Sequence, residues 1–455
     1  MNNYVKWFYL CKMKYVLAFI FIIFIISSCK NSNLTYQVSV TDCSAGKIKG
    51  AMPKVPIKHV KTDSIKNIKI YLETSASMKG YINKPSVSDS GYIIKKIVPY
   101  LITDLDSKIT SPELYTISSN HMKYQKSKKK FIKSLFNGSL ITGGSTHIHE
   151  IIKQIFNDNN PNTGISILIS DCILDVGNNN GQKDRVGSAI YDLLSMKNIS
   201  ALLFQYYSEF NGDWYYDRRS SKRPYLGENI TMHKRPFYIW VFGSPQNLSN
   251  LLKKKIFKNY SHSFIYGIKY TDIPALKLIQ GTGKGKIYLS NKNEFTLIDY
   301  TKGDTANFVM GLNLSKFPDY IQNLTYLQNN LHIDKSYLKN KIKYTIYKQS
   351  DYSENHIYQF DNPNKIASEI SNFTHVIEIS INNINSISDT SFTISLNEGE
   401  PFWIKDAAIN DDVGKTSQKL EKKTYAFNII TKAFKDRFLT NNNECIFKIN
   451  FKKIK

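Results

Sequence analysis

The chain has 455 residues, 42% hydrophobic and 13% aromatic, enough apolar side chain to build cores over about two to four domains. Those proportions exclude a disordered or fibrous protein. The formal charge is +24, but of the 61 Lys+Arg only six are Arg, leaving 55 Lys; Arg is the residue for bidentate phosphate and base contacts, so the balance argues against nucleic-acid recognition and for a solvated Lys-rich surface or attraction to an anionic envelope.

The first segment carries Lys6, Lys12 and Lys14, then an apolar run over residues 15–26, then Ser27, Ser28 and Cys29. Basic, apolar and small residues in that order form an export signal, and the run falls short of the ~20 residues a membrane-spanning helix needs. Ile26-Ser27-Ser28-Cys29 resembles a bacterial lipobox. The resemblance implies that residues 1–28 are a lipoprotein signal peptide and that Cys29 is the acylated amino terminus, anchored in the membrane by lipid. Lys30 is not the acidic residue that retains some lipoproteins at an inner membrane, which points to the outer membrane of the cell envelope. Cys43, Cys172 and Cys445 remain for the exported part, an odd number with no zinc-ligand spacing and no disulfide framework.

Residues 29–65 are polar and low in aromatics and read as a flexible tether. Beyond them, strand and helix patterns alternate. Strands are expected at 68–72, 113–118, 165–170, 199–207 and 237–242, with Cys172 a buried small hydrophobe just past the third. Helices are expected at 91–108, with Pro99 a kink or late start, and at 147–156, 184–197 and 247–255. Continuous apolar strands alternating with helices predict an α/β unit over 66–258, with helices on both faces of a mostly parallel sheet.

From 259 to 455 the pattern changes to short strand signals at 264–268, 286–289, 295–298, 308–312, 344–347, 375–381 and 392–396, separated by Asn, Asp, Ser and Gly. This predicts a β-rich, β-sandwich-like region. The segments at 308–314 and 373–381 could open two modules, although they do not amount to a repeat. One helix is expected at 423–438, with Ala426, Ile430, Ala433 and Phe434 on a face that packs against a sheet.

The residues that carry chemistry lie in the α/β half. At the end of its first strand stand Glu73, Ser75 and Ser77; Gly143-Gly144-Ser145-Thr146 leads into a helix; and Asp171 follows a buried strand. Carboxyl ends of parallel strands converge on one crevice, where ligands bind, and clustered hydroxyl and carboxylate oxygens suit a hard cation. These motifs resemble the von Willebrand factor A domain with its metal-ion-dependent adhesion site. The resemblance covers residues 66–258 and implies a Rossmann-like fold in which Ser75, Ser77 and Thr146 are hydroxyl ligands of Mg²⁺ or Mn²⁺, Asp171 is an acidic partner, and Glu73 stands at the family's first Asp, one methylene longer.

His147 and His149 beside Glu150 invite a metal-hydrolase reading, but a spacing of two on a helix turns successive side chains apart, so a helix-start role is preferred. Lys126, Lys128, Lys129 and Lys130 read as a solvated loop, and Trp214 with Asp217, Arg218 and Arg219 as an aromatic and basic loop that packs or touches a partner. The residues offer no nucleophile paired with a His base and no phosphate-cradling glycine loop. The sequence therefore reads as a non-enzymatic, lipid-anchored binding or scaffolding module for a protein or envelope polymer, with a metal-dependent hydrolase on the same crevice as the alternative.

Overall fold

The computed structural model describes residues 34–42, 65–82, 91–119, 121–144, 147–160, 163–174, 182–195, 199–214, 228–268, 275–283, 286–291, 294–300, 304–333, 342–382, 390–397, 399–410, 415–439 and 443–454. Cys29 and Thr146 lie outside them. The first described strand, β1 (Leu34–Asp42), falls in the range expected to be a tether, yet it pairs on both sides within a sheet of the carboxyl-terminal half. Its alternating Tyr36, Val38 and Val40 are a strand pattern that the polar composition of the wider segment outweighed.

The α/β half is built on a seven-stranded mixed sheet in the order β4-β3-β2-β5-β7-β6-β8. Its strands are β2 (Asn67–Glu73), β3 (Glu113–Ser118), β4 (His121–Tyr124), β5 (Gly164–Ser170), β6 (Ser200–Trp214), β7 (Glu228–Gly243) and β8 (His262–Tyr266). Only the β2 ladders to β3 and β5 are parallel; β3 to β4, β5 to β7, β7 to β6 and β6 to β8 run antiparallel. The expectation of a mostly parallel sheet is corrected by β6 and β7, which are 15 and 16 residues long and pair from Ser200 opposite Gly243 to Trp214 opposite Glu228. This long hairpin sets β7 antiparallel beside β5.

Side chains alternate across the sheet. Ile70, Leu72, Ile167, Ile169, Leu202, Ile239 and Val241 line one face, covered by α1 (Ile93–Lys108), α2 (Lys128–Phe136) and, later in the chain, α5 (Pro245–Lys253). Tyr71, Leu168, Leu203, Tyr238 and Trp240 line the other, covered by α3 (Ile148–Asp158) and α4 (Gln182–Ser195). The expectation of helices on both faces holds. α1 runs unbroken through Pro99. α2 replaces the solvated loop expected around Lys128: the Ser127 hydroxyl accepts from Lys130 N, and Phe131 and Leu135, four apart, are buried.

The expected boundary at 258 does not coincide with the packing. β8 extends the α/β sheet to Tyr266, and two helices from far downstream, Phe402–Ala407 and Phe427–Phe438, place Ile404, Phe427, Ile430 and Phe434 in the same core as Trp240. Phe434 lies 4.5 Å from the Trp240 ring and Phe427 4.2 Å from Tyr238. The sheet against which the late helix was expected to pack is thus that of the α/β half.

Apart from a short parallel pair, Ala408–Ile409 with Thr424–Tyr425, the remaining strands form two antiparallel sheets. Leu34–Asp42 joins Lys286–Asn291, Glu294–Tyr300, Leu331–Ile333, Thr390–Asn397 and Asn443–Ile454 in one; Ala275–Gly283, Thr305–Asn313, Ile342–Lys348 and His375–Asn382 form the other. Leu297, Leu331 and Ile394 of the first share a core with Phe308, Ile346, Ile377 and Ile379 of the second, a sandwich-like packing. The two segments weighed as module starts are paired neighbours in one sheet, Thr305 opposite Asn382. Among the described residues no helix is long and apolar enough to cross a membrane.

Candidate functional site

Parallel pairing sets Leu72 opposite Ile169, so β2 and β5 end at the same sheet edge, with Glu73 as the last residue of β2 and Asp171 just past β5. From Glu73 the chain turns through Thr74–Ala76 into one 3-10 turn, Ser77–Tyr81. Thr74 N donates to Ile117 O at 3.0 Å and Met78 N to Ser75 O at 3.2 Å, so the turn is fastened to the end of β3 and to itself.

The loop carrying the Gly pair returns to this turn. Gly143 N donates to Thr74 O and Ala76 N donates to Gly144 O, each at 3.1 Å. Gly143 and Gly144 adopt φ of +83° and +105°. A Cβ at either would meet nothing within 4 Å, so it is the left-handed backbone and not space that demands glycine here.

Four of the five expected ligands can be placed. Glu73, Ser75 and Asp171 are buried and Ser77 is half-buried. The Ser75 and Ser77 hydroxyls face one another at 3.0 Å, as their spacing predicts. Alternation along β2 puts Glu73 on Tyr71's face of the sheet, where its charge acts on the Cys172 thiol. Asp171 Oδ1 accepts from Ile173 N at 3.2 Å, while its buried Oδ2 makes no hydrogen bond.

Sequence reasoning missed the residue that organises this edge. Ser170 lies opposite Tyr238, so Arg235, three residues earlier on antiparallel β7, emerges where β5 stops. Arg235 Nη2 lies 3.6 Å from Asp171 Oδ2, and both side chains are 2% exposed. Its Nε donates to the Tyr81 hydroxyl at 2.9 Å, and that hydroxyl donates to Pro236 O at 2.5 Å. The guanidinium carbon sits 4.0 Å from the Trp214 ring centroid and 4.1 Å from that of Phe210. Aromatic faces attract a cation, and a desolvated one most strongly. The available signal was composition: in a chain that uses Lys throughout, an Arg next to an apolar strand calls for an explanation.

Burial pushes the Asp171 carboxyl above its ordinary range, against the pull of Arg235, the Ile173 amide and Ser77. Burial also drives the Tyr81 hydroxyl well up, which keeps it a neutral donor and acceptor beside Arg235. The next residue, Cys172, holds φ of +55°, rare for a residue with a side chain, and its sulfur accepts from Trp240 Nε1 at 3.3 Å. Its thiol is raised by burial and is 1% exposed, a packed side chain as expected.

The expected Mg²⁺ or Mn²⁺ would meet a competing cation here. Asp171 Oδ1 accepts a backbone amide, and Oδ2, which no hydrogen bond satisfies, lies 3.6 Å from the buried Arg235 guanidinium. The ion's double charge would also stand beside Arg235. The His147 and His149 rings are 6.0 Å apart; His147 precedes α3 and His149 lies in its first turn, 3.4 Å from Glu150. Burial lowers the His149 pKa, with Glu150 opposing it. Trp214 is not in a loop but is the last residue of β6, buried against Arg235; Asp217, Arg218 and Arg219 lie outside the described residues.

The chain matches no family model, no curated protein and no solved structure.

Proposed function

We propose that the chain is a lipid-anchored binding or scaffolding module of the bacterial cell envelope, held at the outer membrane through Cys29, that engages a protein or cell-surface polymer with the loops at the carboxyl edge of β2 and β5. The observation that carries this reading is the convergence of segments far apart in sequence: 74–77 and 143–144 are joined by backbone hydrogen bonds at the sheet edge where β5 also ends beside Asp171. Their order and strand context support the von Willebrand factor A-like reading, and the long β6–β7 hairpin is the departure from it. Lys79, Thr142 and Gly144 form an exposed rim over the buried polar residues. An acidic group on the partner would suit Lys79.

The test is capture by the full-length protein from intact envelopes after cross-linking. A Lys79→Glu/Thr142→Glu rim variant should lose the wild-type partner by tenfold or more, while Lys66→Glu, exposed at the opposite end of β2, should retain it. Equal recovery by all three proteins would remove this edge from consideration as the contact surface.

A further inference from the structure

We infer that Arg235 takes the place of a divalent ion at this edge, so that the site is organised by an internal cation and works without metal. The motif set that implies an ion, Glu73, Ser75, Ser77 and Asp171, stands at and just past the ends of β2 and β5, while the inserted antiparallel β7 delivers a positive charge to the same acid. Arg235 is fixed from three directions: Asp171 at 3.6 Å, the Tyr81 hydroxyl at 2.9 Å, and the flanking faces of Phe210 and Trp214.

One of those contacts reaches the turn that forms the rim, since Tyr81 ends the Ser77–Tyr81 turn. A single guanidinium therefore holds the last residue of the turn directly and pairs with the acid at the end of the neighbouring strand. Arg235 is a positioning residue, since its burial keeps it from touching a partner. Arg suits the task better than Lys, because its planar fork presents Nε to Tyr81 and Nη2 to Asp171 at once while its face stacks on the rings. The inference stands on this geometry alone and does not depend on what the rim binds.

The experiment uses Mn²⁺ alone as the probe, titrated calorimetrically into the purified full chain, with melting curves at millimolar Mn²⁺. Wild type should give no Asp171-dependent heat and no melting shift. Arg235→Met, which keeps an unbranched apolar chain between the rings but removes the charge, should gain Mn²⁺ binding and a raised melting temperature, both lost again in Arg235→Met/Asp171→Asn. Wild-type Mn²⁺ heat that Asp171→Asn abolishes would overturn the inference, as would a folded Arg235→Met protein that binds no Mn²⁺. If Arg235→Met does not fold, the comparison of wild type with Asp171→Asn decides alone. Metal binding by wild type would leave the rim as a contact surface, whereas failed capture with this test passed would leave Arg235 in place and remove the contact surface.

Discussion

Replacing Arg235 by Met with Asp171 left in place isolates the charge at the sheet edge, because Met fills much of the space between Phe210 and Trp214, whose rings lie 4.1 and 4.0 Å from the guanidinium carbon. The variant leaves a buried carboxylate facing no cation. Removing one member of a buried pair costs about 3–5 kcal/mol. For a unit the size of the α/β half, at about 2–4 °C per kcal/mol, the melting temperature should fall by about 6–20 °C. Asp171→Asn added to Arg235→Met should restore a large part of this loss, giving a coupling energy of about 1.5–3 kcal/mol. Trp214 and Trp240 are both buried in this half, so fluorescence together with circular dichroism follows its unfolding. The same charge opposes a metal: a divalent ion about 5 Å from the guanidinium, at an effective dielectric of about 20, is repelled by on the order of 7 kcal/mol. A variant within about 1 kcal/mol of wild type, with the two substitutions additive, would refute the reasoning.

Phe434→Ala should cost about 3–5 kcal/mol, read as earlier unfolding of the α/β half although the residue lies far downstream, since its ring packs on Trp240 and Tyr266; for the same reason a fragment ending at 258 should lack cooperative unfolding, which denaturant titration would show. His375 is buried and its pKa is lowered by that burial from 6.5, so the folded state holds it neutral while the unfolded chain takes up a proton. Its contribution to stability is present above pH 6.5 and is lost as pH falls, so a melting series from pH 7.5 to pH 5 should be steeper for wild type than for His375→Gln. Cys29→Ala should abolish incorporation of labelled fatty acid and release the protein from membranes; unchanged labelling would end the lipoprotein reading.

Where one residue type at one spacing decided the local structure, the sequence was sufficient. The apolar run of 165–170 became a strand buried along its whole length, and Ile151, Ile152 and Ile155 turned one face of α3 inward. Ser75 and Ser77 were expected to face the same way, and their hydroxyls meet at 3.0 Å. What stayed hidden was pairing between distant strands. Nothing local says that 228–243 inserts beside β5 and not beyond β6, and this one choice turns the sheet mixed and brings Arg235 to Asp171. The strand at 34–42 shows its alternation locally, but its partners at 294–300 and 443–454, which would have set it apart from the polar segment around it, do not. Helix Phe427–Phe438 was legible as amphipathic, but the sheet it covers was not, because a helical face records that it packs and not against what.

On the proposed function, the rim around Ser77 and Lys79 contacts a partner without needing a divalent ion. A photo-crosslinking residue placed singly at Ser77, Lys79 or Thr142, and at Lys66 on the opposite end of β2 as a control, reads this directly in intact envelopes with and without chelator. One common cross-linked partner is expected from the three rim positions, in equal yield with chelator present, and none from Lys66. Cross-links from Lys66 alone, or rim cross-links that vanish with chelator, would contradict it.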